Sequence, residues 1–150
     1  MVNKERFKAV PAVYAFLVRD GKILLTRRKN TGYEDGNYMV PSGHVEEGES
    51  LRAAMCREAM EEVGVTLKES DLALVHVMYR AAHDATGTRV DFFFEVARWE
   101  GEPENREPEK CDEVAWYALG ALPENTVGYL KSALHKWIEG EILSEWGWER

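Results

Sequence analysis

Cysteine, long apolar runs and basic clusters are all scarce in this sequence, and each shortage removes a class of protein. Cys56 and Cys111 are the two cysteines in 150 residues, too few for a disulfide framework. A reducing compartment is the simplest setting, so a cytoplasmic location is expected. No stretch approaches the roughly 20 apolar residues of a membrane-spanning helix, and no membrane partner is expected. Lys4, Arg6 and Lys8 ahead of the apolar run Ala9 to Val18 superficially suggest a secretory leader. The run ends at Arg19-Asp20-Gly21 without a small-residue cleavage site, and a second apolar run follows, so a strand hairpin is the better reading. Lysine and arginine number 19 against 27 acidic residues, a formal net charge of −8. Polymer phosphates require clustered Lys and Arg, which argues against a nucleic-acid polymer as the main partner. Acidity would exclude a phosphorylated small molecule too, unless the acids hold a cation that inverts the local field.

What remains is a soluble globular pattern, 45% hydrophobic and 31% charged, long enough for one domain over residues 1–150 with a proper core. Val10 to Val18 and Lys22 to Arg28 read as strands joined by Asp20-Gly21, a type I′ hairpin signal. A loop, Lys29 to Asn37, leads to a short extended piece at Tyr38 to Val40. Pro41 then biases the chain into Ser42-Gly43. Leu72 to Arg80, Thr88 to Trp99 and Glu113 to Leu119 read as strands, and Glu100 to Cys111 as an exposed polar loop. Apolar residues at helical spacing predict a helix over Thr126 to Glu139. Glu141 to Arg150 is too short and polar to assign.

The stretch Gly43 to Val65, GHVEEGESLRAAMCREAMEEVGV, organises the chain. Ser50 suits an N-cap and Gly64 the residue after a helix end. At about 100° per residue, Glu58, Glu61 and Glu62 share an arc of roughly 100°. Cys56, Ala59, Met60 and Val63 are expected on the opposite, apolar face. Like charges at this spacing destabilise a helix by a few tenths of a kcal/mol. Either solvent or a hard divalent cation compensates, and Mg²⁺ takes such oxygen ligands and shares them with substrate phosphates.

Gly43, Glu49, Arg57, Glu58, Glu61, Glu62, Gly64 and Val65 fit the pattern Gly-x5-Glu-x7-Arg-Glu-U-x-Glu-Glu-x-Gly-U, with U apolar and Ala59 small at the first such position. At about 7% usage per fixed residue, seven chance matches come to roughly 10⁻⁸. The segment resembles the Nudix box. The resemblance implies an α/β fold, a Nudix-type α/β/α sandwich with a mixed sheet between helices. It also implies hydrolysis of a nucleoside diphosphate linked to another moiety. Glu58, Glu61 and Glu62 are then metal ligands for Mg²⁺, with Mn²⁺ as a substitute, and Glu58 serves as general base in some members. Glu49 and Arg57 are expected to pair and brace the loop against the helix, while Gly43 lets backbone approach a metal or phosphate. Ser42 departs from a glycine frequent in the family.

Arg98-Trp99-Glu100-Gly101-Glu102-Pro103 with Glu107 resembles the same region of MutT-type pyrophosphohydrolases, which implies that Glu107 completes the metal site; Glu104 and Glu109 compete for that role. The same resemblance sets Arg28 and Asn125 against a purine base, with a strand-end charge and a helix cap as the alternatives. Tyr33 and Tyr38 flank the loop entrance and suit either base stacking or packing. His44, His76, His83 and His135 show no ligand spacing.

Three functions stay in view. The first is Mg²⁺-dependent hydrolysis of a nucleoside triphosphate, ordinary or oxidised as in 8-oxo-dGTP, to monophosphate and pyrophosphate. The second keeps the chemistry on ADP-ribose, a nucleotide sugar or a dinucleoside polyphosphate. The absence of proline between Val65 and Pro103 lowers the ADP-ribose option. The third is a silent nucleotide-binding sensor, disfavoured because every box glutamate is present. The partner expected is a small nucleotide, and a homodimer stays open.

Overall fold

A computed structural model describes residues 5–149. Strands β1 (Val10–Arg19), β2 (Lys22–Arg28), β3 (Tyr38–Met39) and β4 (Ser42–His44) precede helix α1 (Leu51–Val63). Strands β5 (Leu72–Arg80), β6 (Arg89–Val96) and β7 (Cys111–Ala118), helix α2 (Gly128–Ile138) and strand β8 (Leu143–Trp146) complete the order. The eight strands form one mixed sheet in the order β3-β2-β1-β6-β5-β8, with β4 beside β1 and β7 beside β2. β1 runs parallel to β6 and antiparallel to β2 and β4.

β1 explains the layering. Its side chains alternate between two buried faces, so it reads as a continuous apolar run. Ala12, Tyr14 and Phe16 join a core with Leu130, Ala133 and Leu134 of α2. Val13, Ala15 and Leu17 join a second core with Ala54, Met55, Ala59 and Val63 of α1. The expected α/β/α sandwich follows. Asp20 and Gly21 take φ of 54° and 74°, the paired positive values that a type I′ turn requires. Among the described residues, no helix is long and apolar enough to cross a membrane.

α1 is capped as its sequence suggests. The Ser50 hydroxyl accepts the Ala53 N–H at 3.1 Å, and Gly64 closes the helix at φ 71°. The expected apolar face needs correction, because Met60 is 41% exposed. The face against the sheet is Ala54, Met55, Ala59 and Val63, which lies beside the acidic arc instead of opposite it. Glu58 and Glu62 therefore sit on the flank nearest the core, and only Glu61 turns fully outward.

Two strands carry no apolar alternation and escape a reading by pattern. β4 is three residues that would pass for a loop; its main chain pairs with Ala12 to Tyr14 of β1. β8 pairs in parallel with β5 and is pinned from below by buried His76. The two ring nitrogens of His76 bond the Glu141 carbonyl at 2.8 Å and the Ser144 hydroxyl at 2.7 Å.

The cap of α1 yields a test. A Cβ on Gly64 would come within 2.7 Å of Arg106 Nε, in a backbone region that costs L residues about 1–2 kcal/mol. Gly64→Ala should lower the unfolding free energy in urea by at least that much. An unchanged midpoint would refute the cap geometry.

Candidate active site

Between the C-terminal half of α1, the end of β2 and the loop before β7 lies a cavity of about 350 Å³. Glu58, Glu61, Glu62 and Glu107 line it together with Arg27, Arg28, Arg57 and Lys110. Carboxylates and cations in one cavity suit a phosphate chain bridged to carboxylates by metal ions.

Each glutamate is placed by a different contact. Arg57 donates through Nε and Nη2 to the two Glu49 oxygens at 2.7 and 2.9 Å, a bidentate pair. Its Nη1 donates to Glu58 at 2.8 Å and to Glu61 at 3.4 Å. Its Nη2 also reaches the His44 carbonyl at 3.2 Å, tying helix to β4. The expected brace between Glu49 and Arg57 is in place, and it extends to the glutamates themselves.

Gly43 has a packing reason besides the one its sequence context suggests. A Cβ there would overlap the Glu58 carboxylate. The glycine leaves room for that side chain on the strand, and no approach of its own backbone to a ligand is needed to explain it. Glu62 is partly buried, accepting one N–H, from Ser42 at 3.3 Å. Burial and then the neighbouring Glu58 charge hold the Glu62 carboxyl well above the usual carboxylate range. Burial also raises Glu58, against the pull of Arg57.

The loop before β7 is docked onto the end of α1. The Glu104 and Arg106 amides donate to the Val63 and Glu62 carbonyls at 3.0 and 3.1 Å. Asn105 bonds the Cys111 carbonyl at 2.7 Å and accepts the Glu107 amide at 3.0 Å. Of the three competing acids, Glu107 is the one that lines the cavity. Glu104 pairs with Arg106 at 2.7 Å instead.

Arg28 lies where the β2–β7 register shifts, and such an irregularity re-aims a side chain. Its Nε donates to the Tyr33 carbonyl at 2.7 Å. It lines both this cavity and a second one of about 390 Å³ on the α2 side of the sheet. Asn125 lines neither. α2 starts at Gly128 with Val127 as an N-cap that makes no side-chain bond, so Asn125 is not the cap. Its amide donates to the Gly36 carbonyl at 2.7 Å and fastens the preceding loop.

The second cavity contains what a reading by motif passed over: Arg80, Arg89, His44, His83 and Tyr129. A signal was present, since Arg80 and Arg89 put charges at the facing ends of two largely apolar strands and Asp91 follows two residues on. Asp91 is fully buried and accepts from Arg80 at 2.7 Å and from the Tyr14 hydroxyl at 2.8 Å.

A divalent cation is tested by the donors themselves. The four carboxylates supply hard oxygens, and Glu62 is a partly buried carboxyl with a single weak protein bond. That chemistry fits Mg²⁺. Among the described residues, no three metal-ligating side chains form a ready-made cage. Mg²⁺ needs none, because it is usually held by one or two carboxylates together with water and phosphate.

The brace makes a prediction about pH. Folding lowers the Glu49 carboxyl from 4.5 to about 2, chiefly through its bonds from Arg57. A group depressed by folding stabilises above its unfolded value and loses that contribution as pH falls through the folded one. Glu49→Gln should reduce Tm at neutral pH and shrink the difference from wild type between pH 4.5 and about 2. A constant difference across that window would remove the brace from the account of stability.

The NUDIX domain family model matches residues 8–138. A MutT NUDIX hydrolase from Burkholderia pseudomallei has a similar structure, with a TM-score of 0.78 at 30% identity over 86% of this chain and 98% of that one. An 8-oxo-dGTP diphosphatase of Escherichia coli K12 is 29% identical over 104 residues, 69% of this chain and 74% of the relative. An ADP-ribose pyrophosphatase of Methanocaldococcus jannaschii is 40% identical over 65 residues, 43% of this chain and 38% of the relative. A CTP pyrophosphohydrolase of Escherichia coli K12 is 36% identical over 69 residues, 46% of this chain and 51% of the relative. The match spans 38% and 51% of the lengths of the ADP-ribose and CTP relatives, against 74% for the 8-oxo-dGTP diphosphatase. By the extent of the domain match and the likeness across nearly the whole of a solved relative, the chain belongs to the Nudix family.

Proposed function

We propose that this chain hydrolyses a phosphoanhydride bond of a nucleoside triphosphate, ordinary or oxidised, releasing a monophosphate and pyrophosphate. The observation that carries this reading is the cavity that Glu58, Glu61, Glu62 and Glu107 line together with Arg28 and Lys110. Phosphoryl transfer leaves little covalent work for a protein, and positioning with charge stabilisation does most of it.

The four glutamates would hold Mg²⁺ or Mn²⁺, which when bound neutralises phosphate oxygens and acidifies water. The protein's own groups do the rest. Arg28 and Lys110, which line the same cavity, meet the phosphate oxygens, while Arg27 is held by Asp112 at 2.7 Å. Glu58 is confined between Arg57 and the space over Gly43, the fixed position that a proton acceptor for the attacking water needs. Water adds to phosphorus, the anhydride P–O bond breaks, and the proton released goes to a carboxylate.

Relatives named for ADP-ribose and for NAD-capped RNA place related chemistry on other substrates. A release assay with Mg²⁺ separates them, using ordinary and 8-oxo nucleoside triphosphates, ADP-ribose, GDP-mannose, a dinucleoside polyphosphate and NAD-capped RNA. Pyrophosphate from a triphosphate, reduced by at least about 100-fold in Glu62→Gln with Tm within a few degrees, is the expected result. Monophosphate from ADP-ribose or GDP-mannose instead would discard the triphosphate reading. Arg57→Ala should lower Tm and turnover together; lost turnover at unchanged Tm would give Arg57 a direct role in place of bracing.

A further inference from the structure

Three of the four carboxylates in the cavity beside α1 belong to one rigid helix, and the fourth does not. Glu58, Glu61 and Glu62 are set once α1 forms, whereas Glu107 comes from the loop before β7. Burial raises the Glu58 and Glu62 carboxyls first, and the Glu107 charge adds to both, so the loop acid is felt by the helix acids. The spacing of the four oxygen donors therefore turns on what places Glu107.

Up to Arg106 the loop is docked by contacts with α1 and the sheet. Thr66 and Glu100 exchange two main-chain bonds, at 2.9 and 3.0 Å. Arg19 holds Glu102 through two bonds, at 2.9 and 3.2 Å. The Glu104 and Arg106 amides answer two of the carbonyls that the end of α1 leaves free. The Glu107 amide turns the other way, onto the side-chain oxygen of Asn105 at 3.0 Å. The Asn105 amide group in turn donates to the carbonyl of Cys111, the first residue of β7, at 2.7 Å.

One side chain thus ties together both ends of the turn from Arg106 to Lys110. Inside it, the Lys110 amide donates to the Glu107 carbonyl at 2.9 Å, with Pro108 at the position a turn prefers. Asn105 and Glu107 are half-buried, between exposed Glu104, Arg106 and Pro108. The two bonds of Asn105 need an amide, which accepts through its oxygen and donates through its nitrogen. We propose that Asn105 is a positioning residue: by bridging the Glu107 amide and the Cys111 carbonyl, it holds the Glu107 carboxylate where it shares a divalent cation with the α1 glutamates. It touches neither the cation nor the substrate. The proposal rests on the metal-dependent reading above, but not on which nucleotide is cleaved.

Titration of the protein with Mn²⁺ alone, the unbound ion counted by its EPR signal, tests it. Glu107→Gln and Asn105→Ala should each weaken Mn²⁺ binding by at least about ten-fold, as partners behind a metal ligand do. The double variant should bind no more weakly than Glu107→Gln alone, since one residue acts through the other. Asn105→Ser, which returns a weaker acceptor to the Glu107 amide, should recover part of the loss, and it serves if the alanine variant does not fold. A lower Tm with unchanged Mn²⁺ affinity in the Asn105 variants would make the residue merely structural and overturn the proposal. So would losses that multiply in the double variant, a Glu107→Gln that holds Mn²⁺ as tightly as wild type, or a wild type that holds none. Coupled losses in a protein that cleaves no triphosphate would sink the proposed reaction and leave Asn105 in its role; triphosphate hydrolysis with uncoupled losses would do the reverse.

Discussion

Arg57 makes the acidic helix tenable. Glu58, Glu61 and Glu62 occupy one arc of α1, and their mutual repulsion would otherwise have to be screened by water. The guanidinium instead reaches Glu49, Glu58 and Glu61 at once and also holds the carbonyl of His44. Its planar fork suits this role as a lysine's single point of charge would not. Once Glu58 is fixed, the strand beside it must be bare, and Gly43 is the residue that leaves the room. Brace, glutamate and glycine form one unit, which accounts for their fixed spacing better than three separate contacts with a ligand would.

The two cavities divide the work of the site by chemistry. The α1 side offers hard oxygens beside Arg28 and Lys110; the α2 side offers aromatic walls around the Arg80–Asp91 pair. Between them stands Arg28, turned by the irregular register of β2 and β7 and steadied by the Tyr33 carbonyl.

Much of this was legible in the sequence. The hairpin at Asp20-Gly21, both caps of α1 and the pairing of Glu49 with Arg57 follow from local chemistry that tertiary context did not override. The apolar face of α1 was misplaced because the wheel shows which residues lie together but not which way the helix leans, and Met60 lies on the solvent side of that lean. β4 and β8 were invisible because main-chain bonds and one buried histidine hold them, and neither leaves a periodic trace. Asn125 was mistaken for a cap because α2 begins later than its apolar spacing suggests, so its amide went to Gly36. The second cavity drew no attention for another reason: its residues come from strand ends, a hairpin and a helix start, with no fixed interval among them.

The parallel register of β1 with β6 sets the order in which such a chain can assemble. Tyr14 and Asp91, 77 residues apart, share a buried bond, and all of β2 to β5 with α1 lies in the loop that this pairing closes. Long-range parallel pairing slows folding, since chain entropy is lost before the contacts that repay it are made. During synthesis the acidic helix therefore meets only β1 to β4, the half of its sheet that precedes it, until β6 emerges. The dense charge on its acidic arc keeps that side solvated through the interval.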